Sequence, residues 1–385
     1  MHERVVVLGA GYAGAGAVQS LESALDHDHA DIHWLSRTDY HLVLHEAHRA
    51  IRDPTVRDSI TIPVDRIKSD RTTFQQGEVV GLDSDARTVA LADGSSVDYD
   101  YLVVGIGSAT ATYGIPGLAA HAHTLKSLPD AVGIHEAVVE GAGSASHSDP
   151  AKVVVGGAGL SGIQAAGEVA ELRDTENLPI EVTLVEALSE IFPAGSQAIR
   201  ETLEDELAAA DITVRTDDPI TEVEPERIAF DEREPIEYDV MVWTGGITGH
   251  DAMSEAGVDA DHGRLEADAT FQTSDERIFA IGDGALVAQN GDVAPPTAQA
   301  AWDAAELVGE NVCRAMTGLE LQEWEYDGKG TLISVGETAF AADIPGVPVE
   351  VFDSIPAKIL KKGAAARWIA SITSWPRALR AWNDL

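Results

Sequence analysis

Hydrophobic positions along this chain fall into short apolar runs, each bounded by glycine-rich turns, and several lead into stretches of helical spacing. Residues 4–25 (RVVVLGAGYAGAGAVQSLESAL) predict a buried strand, a tight turn carrying Gly9, Gly11 and Gly14, and a helix. A second strand, IHWLS, ends at Ser36 and is followed by Arg37. From Gln75 to Val104 apolar and polar residues alternate around the turn sequences DSDA and ADGS, which predicts an antiparallel meander running into the strand of YDYLVVGIG. The layout then restarts. Residues 152–172 (KVVVGGAGLSGIQAAGEVAEL) again give strand, turn and helix, now around Gly157, Gly159 and Gly162, and EVTLVE is the next strand, ending at Glu186. A helix near 197–210 follows, YDVMVWTGG closes this half with Gly245 and Gly246, and RIFAIGDGA returns to a buried strand before a long helix opened by Thr297, Ala298 and Gln299.

This order predicts an α/β fold of two Rossmann-like, three-layer ββα dinucleotide-binding domains, the second inserted in the first, plus a small amphipathic helical segment at the C-terminal end. We place the first domain at 1–110 and 265–335, the inserted one at 111–264 and the C-terminal region at 336–385. The 25 residues from Tyr101 to Leu125 lack Asp, Glu, Lys and Arg, as a membrane span would. Their glycines and Pro116 predict a strand followed by loops instead.

Composition adds two constraints. Asp and Glu number 65 against 26 Lys and Arg, a net charge of −39. Self-repulsion at that density opposes compaction unless salt screens it. In molar salt the screening length is ~3 Å, so we read the acidity as adaptation to a salty cytoplasm, and it argues against nucleic-acid binding. Cys313, the single cysteine, sits in a helical run and reads as a core residue. One cysteine cannot form a disulfide framework, a metal cluster or a redox pair within the chain. The N-terminus opens directly into an apolar strand, without a visible signal peptide.

A lone G-x-G-x-x-G is weak evidence, but here the motif occurs twice, each time between a strand and a helix. The first glycine permits the turn, the second lets backbone approach a pyrophosphate, and the third allows close helix–strand packing. The helix N-terminus then presents unpaired N–H groups to the phosphates. Glu186 lies 24 residues beyond Gly162, where an acid hydrogen-bonds a ribose 2′-hydroxyl and repels a 2′-phosphate, favouring NADH over NADPH. Ser36 stands in the corresponding place of the first unit, where an acid is usual, and the Ser36-Arg37 pair could suit a 2′-phosphate.

The stretches YDYLVVGIGSATATYGIPGLAAHAHTLKSLPDA, WTGGI, FAIGD, PPTAQAA and WEYDGKGTLISVG, taken together, resemble the type II NADH:quinone oxidoreductases, over about Arg4 to Ala341. The resemblance implies non-covalent FAD, NADH as donor, quinone as acceptor, no proton pumping, and C-terminal helices lying on the cytoplasmic face of the cell membrane through residues 355–385. By the same resemblance Gly9, Gly11, Gly14, Ser36, Arg37, Gly107, Asp283, Thr297, Ala298 and Gln299 hold FAD. Gly157, Gly159, Gly162, Glu186 and Gly245 hold NADH. Two departures bear on proton supply: Gln164 stands where the family has Glu, and Asp303 where it often has a second Gln. Residues 164, 168, 299 and 303 (Gln164, Glu168, Gln299, Asp303) are the candidates beside the reaction, with Glu168, Asp303 or water as the proton source. The mechanisms of sulfide:quinone reductases and disulfide reductases need a cysteine pair and are excluded.

Residues 354–385 hold six basic side chains and one acid, unlike the rest of the chain. Leu360, Ala364, Trp368, Ile372 and Trp375 fall at helical spacing, and Pro376 can start a second short helix with Trp382. We expect this stripe to lie in the membrane interface, and truncation after Ser354 to leave a soluble NADH dehydrogenase. A homodimer is possible. Two other readings stay open: a soluble reductase of a ferredoxin-like acceptor, and a nonenzymatic NADH-binding redox sensor.

Overall fold

The computed structural model describes residues 3–25, 30–347 and 349–385. Five parallel strands form the first sheet, in the spatial order Ile278–Ala280, Tyr101–Val104, Glu3–Leu8, Ala30–Ser36, Thr72–Gln76. The sheet is covered on both sides, so its strands are continuous apolar runs; Val5, Val6, Val7 and Leu8 are all fully buried. The inserted half repeats the plan with strands His123–Thr124, Val240–Trp243, Ala151–Gly156, Ile180–Val185 and Ile212–Arg215, again all parallel. Each half also carries a three-stranded antiparallel meander, at 79–98 in the first and 220–237 in the second. Two doubly wound units with one inside the other are thus borne out. The uncharged stretch 101–125 forms the strand Tyr101–Val104, loops with the two-residue strands Ala109–Thr110 and His123–Thr124, and a single helical turn at Leu118–His121; among the described residues no helix is long and apolar enough to cross a membrane.

The helix after the first glycine turn, Tyr12–Ala24, packs along the long helix Ala298–Thr317. They approach closely because position 16 is glycine: a Cβ there would lie 2.6 Å from Ala305 Cβ. Cys313 is half-buried in the long helix and donates toward the Ala24 carbonyl.

The C-terminal region begins as an antiparallel sheet, Thr331–Val335, Thr338–Ala342 and Val351–Asp353, and ends in helices Ser354–Ile372 and Trp375–Ala381. Here the structure corrects the sequence reading. Trp368 and Ile372, two members of the expected membrane stripe, are 1 % exposed and join the main core with Ile369. Burying one Trp, on the order of 200 Å², contributes at most about 5 kcal/mol. The longer helix is therefore a structural layer of the first unit. Truncation after Ser354 would strip that layer away rather than leave a soluble dehydrogenase. The outward apolar residues are Ile355, Ile359, Leu360, Trp375 and Leu379, of which Leu360 and Trp375 belong to the expected stripe, with Trp375 61 % exposed.

Candidate functional site

Both glycine turns have one geometry. Gly9 and Gly157 sit at φ +95° and +93°, where a side chain would be strained and would collide with backbone of the neighbouring strand's loop. Gly11 and Gly159 are the N-caps of the following helices and carry no side-chain cap. A Cβ built at either meets nothing within 4 Å. Each helix therefore offers unpaired N–H donors over open space, the donor set and room that a pyrophosphate needs. Gly14 and Gly162 close against the carbonyls of Gly9 and Gly157.

Glu186 directly follows the strand Ile180–Val185, is 9 % exposed, and accepts hydrogen bonds from the backbone N–H of Ala158 (2.7 Å) and Leu188 (3.0 Å). Its carboxylate is thus fixed against the second turn, where a ribose of the nucleotide would lie. Thr244, beside Gly245, donates to the Gly157 carbonyl at 2.9 Å and ties the WTGG loop to the same turn. In the first unit Ser36 is buried and accepts from the Thr38 N–H (3.3 Å), while Arg37 points to solvent.

Asp283 lies in the one-turn helix Gly282–Gly284, whose Gly282 packs between Ala13 of the first glycine helix and Ala301 of the long helix. The backbone just before Asp283 is thus packed against the first glycine helix. Burial pushes its carboxyl up from the usual range, opposed by Lys126 and then Arg264. Sequence reasoning missed both cations. Lys126 also donates to Ser108 (3.0 Å), and Arg264 Nε to the Asp283 carbonyl (2.9 Å). Gly107, at φ +76°, lies against Gly284. Thr297 caps the long helix by accepting from the Ala300 N–H (3.1 Å), so Ala298 and Gln299 form its first turn. Gln299 accepts from the Tyr326 hydroxyl (3.0 Å).

The four candidates beside the reaction separate into two clusters. Asp303 is engaged by Trp324 Nε1 (2.9 Å) and Lys329 (2.6 Å) below Gln299. Gln164 and Glu168 lie instead on the second glycine helix, facing a buried cluster that the sequence did not announce. His48 Nε2 is 3.3 Å from Gln164 Nε2, 3.9 Å from Glu168, 3.4 Å from Ser334 and 3.5 Å from Lys361. Lys361, counted in sequence as part of a membrane-facing basic tail, is 3 % exposed and donates to Glu46 (3.1 Å), which Arg49 also holds at 2.6 Å. These cations keep Glu46 ionised far below the usual carboxylate range despite its burial. Glu168 behaves oppositely: burial outweighs Arg52, 3.2 Å away, and lifts it to about 7. No metal-binding group of His, Cys, Asp and Glu occurs among the described residues.

Comparisons with known proteins agree with this geometry. A family model described as pyridine nucleotide-disulphide oxidoreductase matches residues 3–305. Among curated proteins, a type II NADH:quinone oxidoreductase of Staphylococcus aureus (strain NCTC 8325 / PS 47) is 27% identical over 372 residues, 90% of this chain and 91% of that one. Among solved structures, NDH2 from Plasmodium falciparum in complex with NADH superposes with TM-score 0.83 at 15% identity, covering 99% of this chain and 98% of that chain. The sulfide:quinone oxidoreductase of Aquifex aeolicus gives 0.78 at 18% identity (96% and 91%). A ferredoxin reductase from Rhodopseudomonas palustris gives 0.72 at 21% (88% and 82%).

Proposed function

Because the chain belongs to the pyridine nucleotide-disulphide oxidoreductase family, we propose that it acts as a type II NADH:quinone oxidoreductase on a membrane surface. It is an FAD-dependent oxidoreductase that binds FAD and NADH. FAD, when bound, would supply the two-electron chemistry linking NADH to a quinone, with no proton pumping.

The protein's own part is binding and electrostatics. The open turn at Gly9, Gly11 and Gly14 and the helix behind it hold the FAD pyrophosphate. Asp283, kept close to Lys126 and Arg264, accepts a hydrogen bond from the sugar-alcohol chain of FAD. The N-terminus of the long helix at Ala298 and Gln299 stabilises negative charge beside it. The turn at Gly157, Gly159 and Gly162 holds NADH, and Glu186 accepts from its ribose hydroxyl while repelling a 2′-phosphate.

One observation favours a membrane quinone over a soluble protein acceptor. Ile355, Ile359, Trp375 and Leu379 are each exposed on the basic C-terminal helices of an otherwise strongly acidic chain. Such a rim of Trp and aliphatic residues suits a lipid interface and would hold the enzyme where quinone is dissolved. The test uses protein purified in molar KCl. NADH should bleach the flavin spectrum and a quinone analogue should restore it. Trp375→Glu/Leu379→Glu should keep both responses while no longer sedimenting with lipid vesicles. Absence of a flavin spectrum, or failure of every quinone to restore it, refutes the assignment; unchanged sedimentation refutes the membrane face.

A further inference from the structure

We propose that His41 and Trp368 are positioning residues for FAD: through them the C-terminal helix grips the first glycine turn and sets how tightly the flavin nucleotide is held. The proposal rests on the reading of that turn as the FAD site.

The contacts form one chain. Trp368 Nε1–H donates to His41 Nε2 at 2.8 Å, and His41 Nδ1 lies 2.8 Å from the Ala10 carbonyl oxygen. A carbonyl can only accept and an indole N–H can only donate, so His41 carries its proton on Nδ1 and a lone pair on Nε2. The ring is neutral and locked in one tautomer. Burial, which pushes His41 down to about 4, agrees with that state.

Ala10 stands between Gly9 and Gly11, so its carbonyl belongs to the turn itself. In a trans peptide the C=O and the following N–H point in opposite directions. Holding the Ala10 carbonyl inward therefore turns the Gly11 N–H outward, toward the open space over the helix N-terminus. The preceding peptide is fixed in the same way: Trp34 Nε1 donates to the Gly9 carbonyl at 2.7 Å. Two successive peptide planes are thus set by side-chain donors, Trp34 from the sheet and His41, which is itself held by Trp368. An anion site whose donors are already oriented loses less on binding than one that must order them.

Trp368 is held in place from several sides. Its ring meets Tyr12, the first residue of the glycine helix, at 4.7 Å between centroids, and Trp302 of the long helix at 4.8 Å. Gln19 donates to the Ile372 carbonyl one turn further along (3.1 Å). The C-terminal helix thus has two working faces, an outer apolar one and an inner one that packs on Tyr12 and reaches the Ala10 carbonyl through His41.

Full-length protein is stripped of flavin in molar KCl and titrated with FAD by flavin fluorescence, and separately with NADH. Trp368→Phe keeps the ring and removes the N–H. It should raise the FAD dissociation constant about tenfold, the scale of one buried hydrogen bond, and leave NADH affinity unchanged. His41→Leu should do the same, whereas His41→Asn, whose amide can still donate to Ala10, should stay within about threefold of wild type. A general loss of packing would weaken both nucleotides together and would overturn the proposal, as would wild-type FAD affinity in Trp368→Phe and His41→Leu. If these variants do not fold, the indole N–H resonance of Trp368 in the wild type decides: it should shift when FAD binds, and a resonance unmoved by saturating FAD overturns the proposal. Wild-type protein that binds no FAD fails at the underlying reading instead, a result distinct from all of these.

Discussion

Replacing Lys361 by methionine should cost this protein about 3 kcal/mol of folding stability, although the side chain lies in the most basic stretch of the sequence. The ammonium group is 3 % exposed, 3.1 Å from Glu46, and Glu46 is itself fully buried. Removing one partner of a buried pair generally costs about 3–5 kcal/mol, because the other charge stays behind in a poor solvent. Arg49 remains at 2.6 Å from the Glu46 carboxylate, which places the loss at the lower end. Urea titration in molar KCl measures it as a shift in midpoint at unchanged slope. Two further readings separate a buried pair from a surface one. Raising KCl from about 1 to 3 M should leave the loss unchanged, since screening ions do not reach between the two groups. Adding Glu46→Gln to Lys361→Met should recover part of the loss, with a coupling of about 2 kcal/mol. A loss under about 1 kcal/mol, or one that shrinks with salt, would refute the reasoning and return Lys361 to the surface.

Glu168 is lifted to about 7, above its ordinary value of 4.5, so the folded protein binds this proton more tightly than the unfolded chain. Its contribution is favourable at low pH and is lost as pH rises from about 4.5 through 7, a change of order 3 kcal/mol. Glu168→Gln should therefore flatten the fall in thermal midpoint between pH 5 and 8; an unaltered pH profile would show that the carboxyl titrates normally. Gly159→Val should fold like the wild type, because its new side chain meets no protein atom within 4 Å at the Cβ. It should nevertheless lose NADH affinity by about 100-fold or more by filling the space over the helix N-terminus, and retained NADH titration would exclude that space as the nucleotide's path.

The sheets and both glycine turns were legible because each is a local pattern: an apolar run, three glycines at fixed spacing, a helix, and an acid or its substitute at the end of the next strand. The C-terminal helix was not. Periodicity identifies the residues sharing a helical face but not what that face meets, so Trp368 and Ile372 read as lipid-facing when both join the main core, Trp368 against Tyr12 and Trp302. Lys361 could be placed inside only once Glu46, 315 positions earlier, was seen opposite it. His41 and His48 offered no signal at all, since a lone histidine acquires its meaning from partners such as Ala10, Gln164 and Trp368 that are remote in sequence.

The closing of the first unit by residue 368 has a consequence for how the protein is made. The inserted sheet draws its strands from one continuous stretch, 123–243, and can consolidate as soon as that stretch leaves the ribosome. The sheet begun by Val5 waits for its edge strand at 278–280, for the helix at 298–317 and finally for Trp368. Until then its valine-rich strands remain uncovered, a state prone to off-pathway association. Synthesis order thus makes the unit that begins the chain the last to mature, and the late segments act on it much as an intramolecular chaperone would.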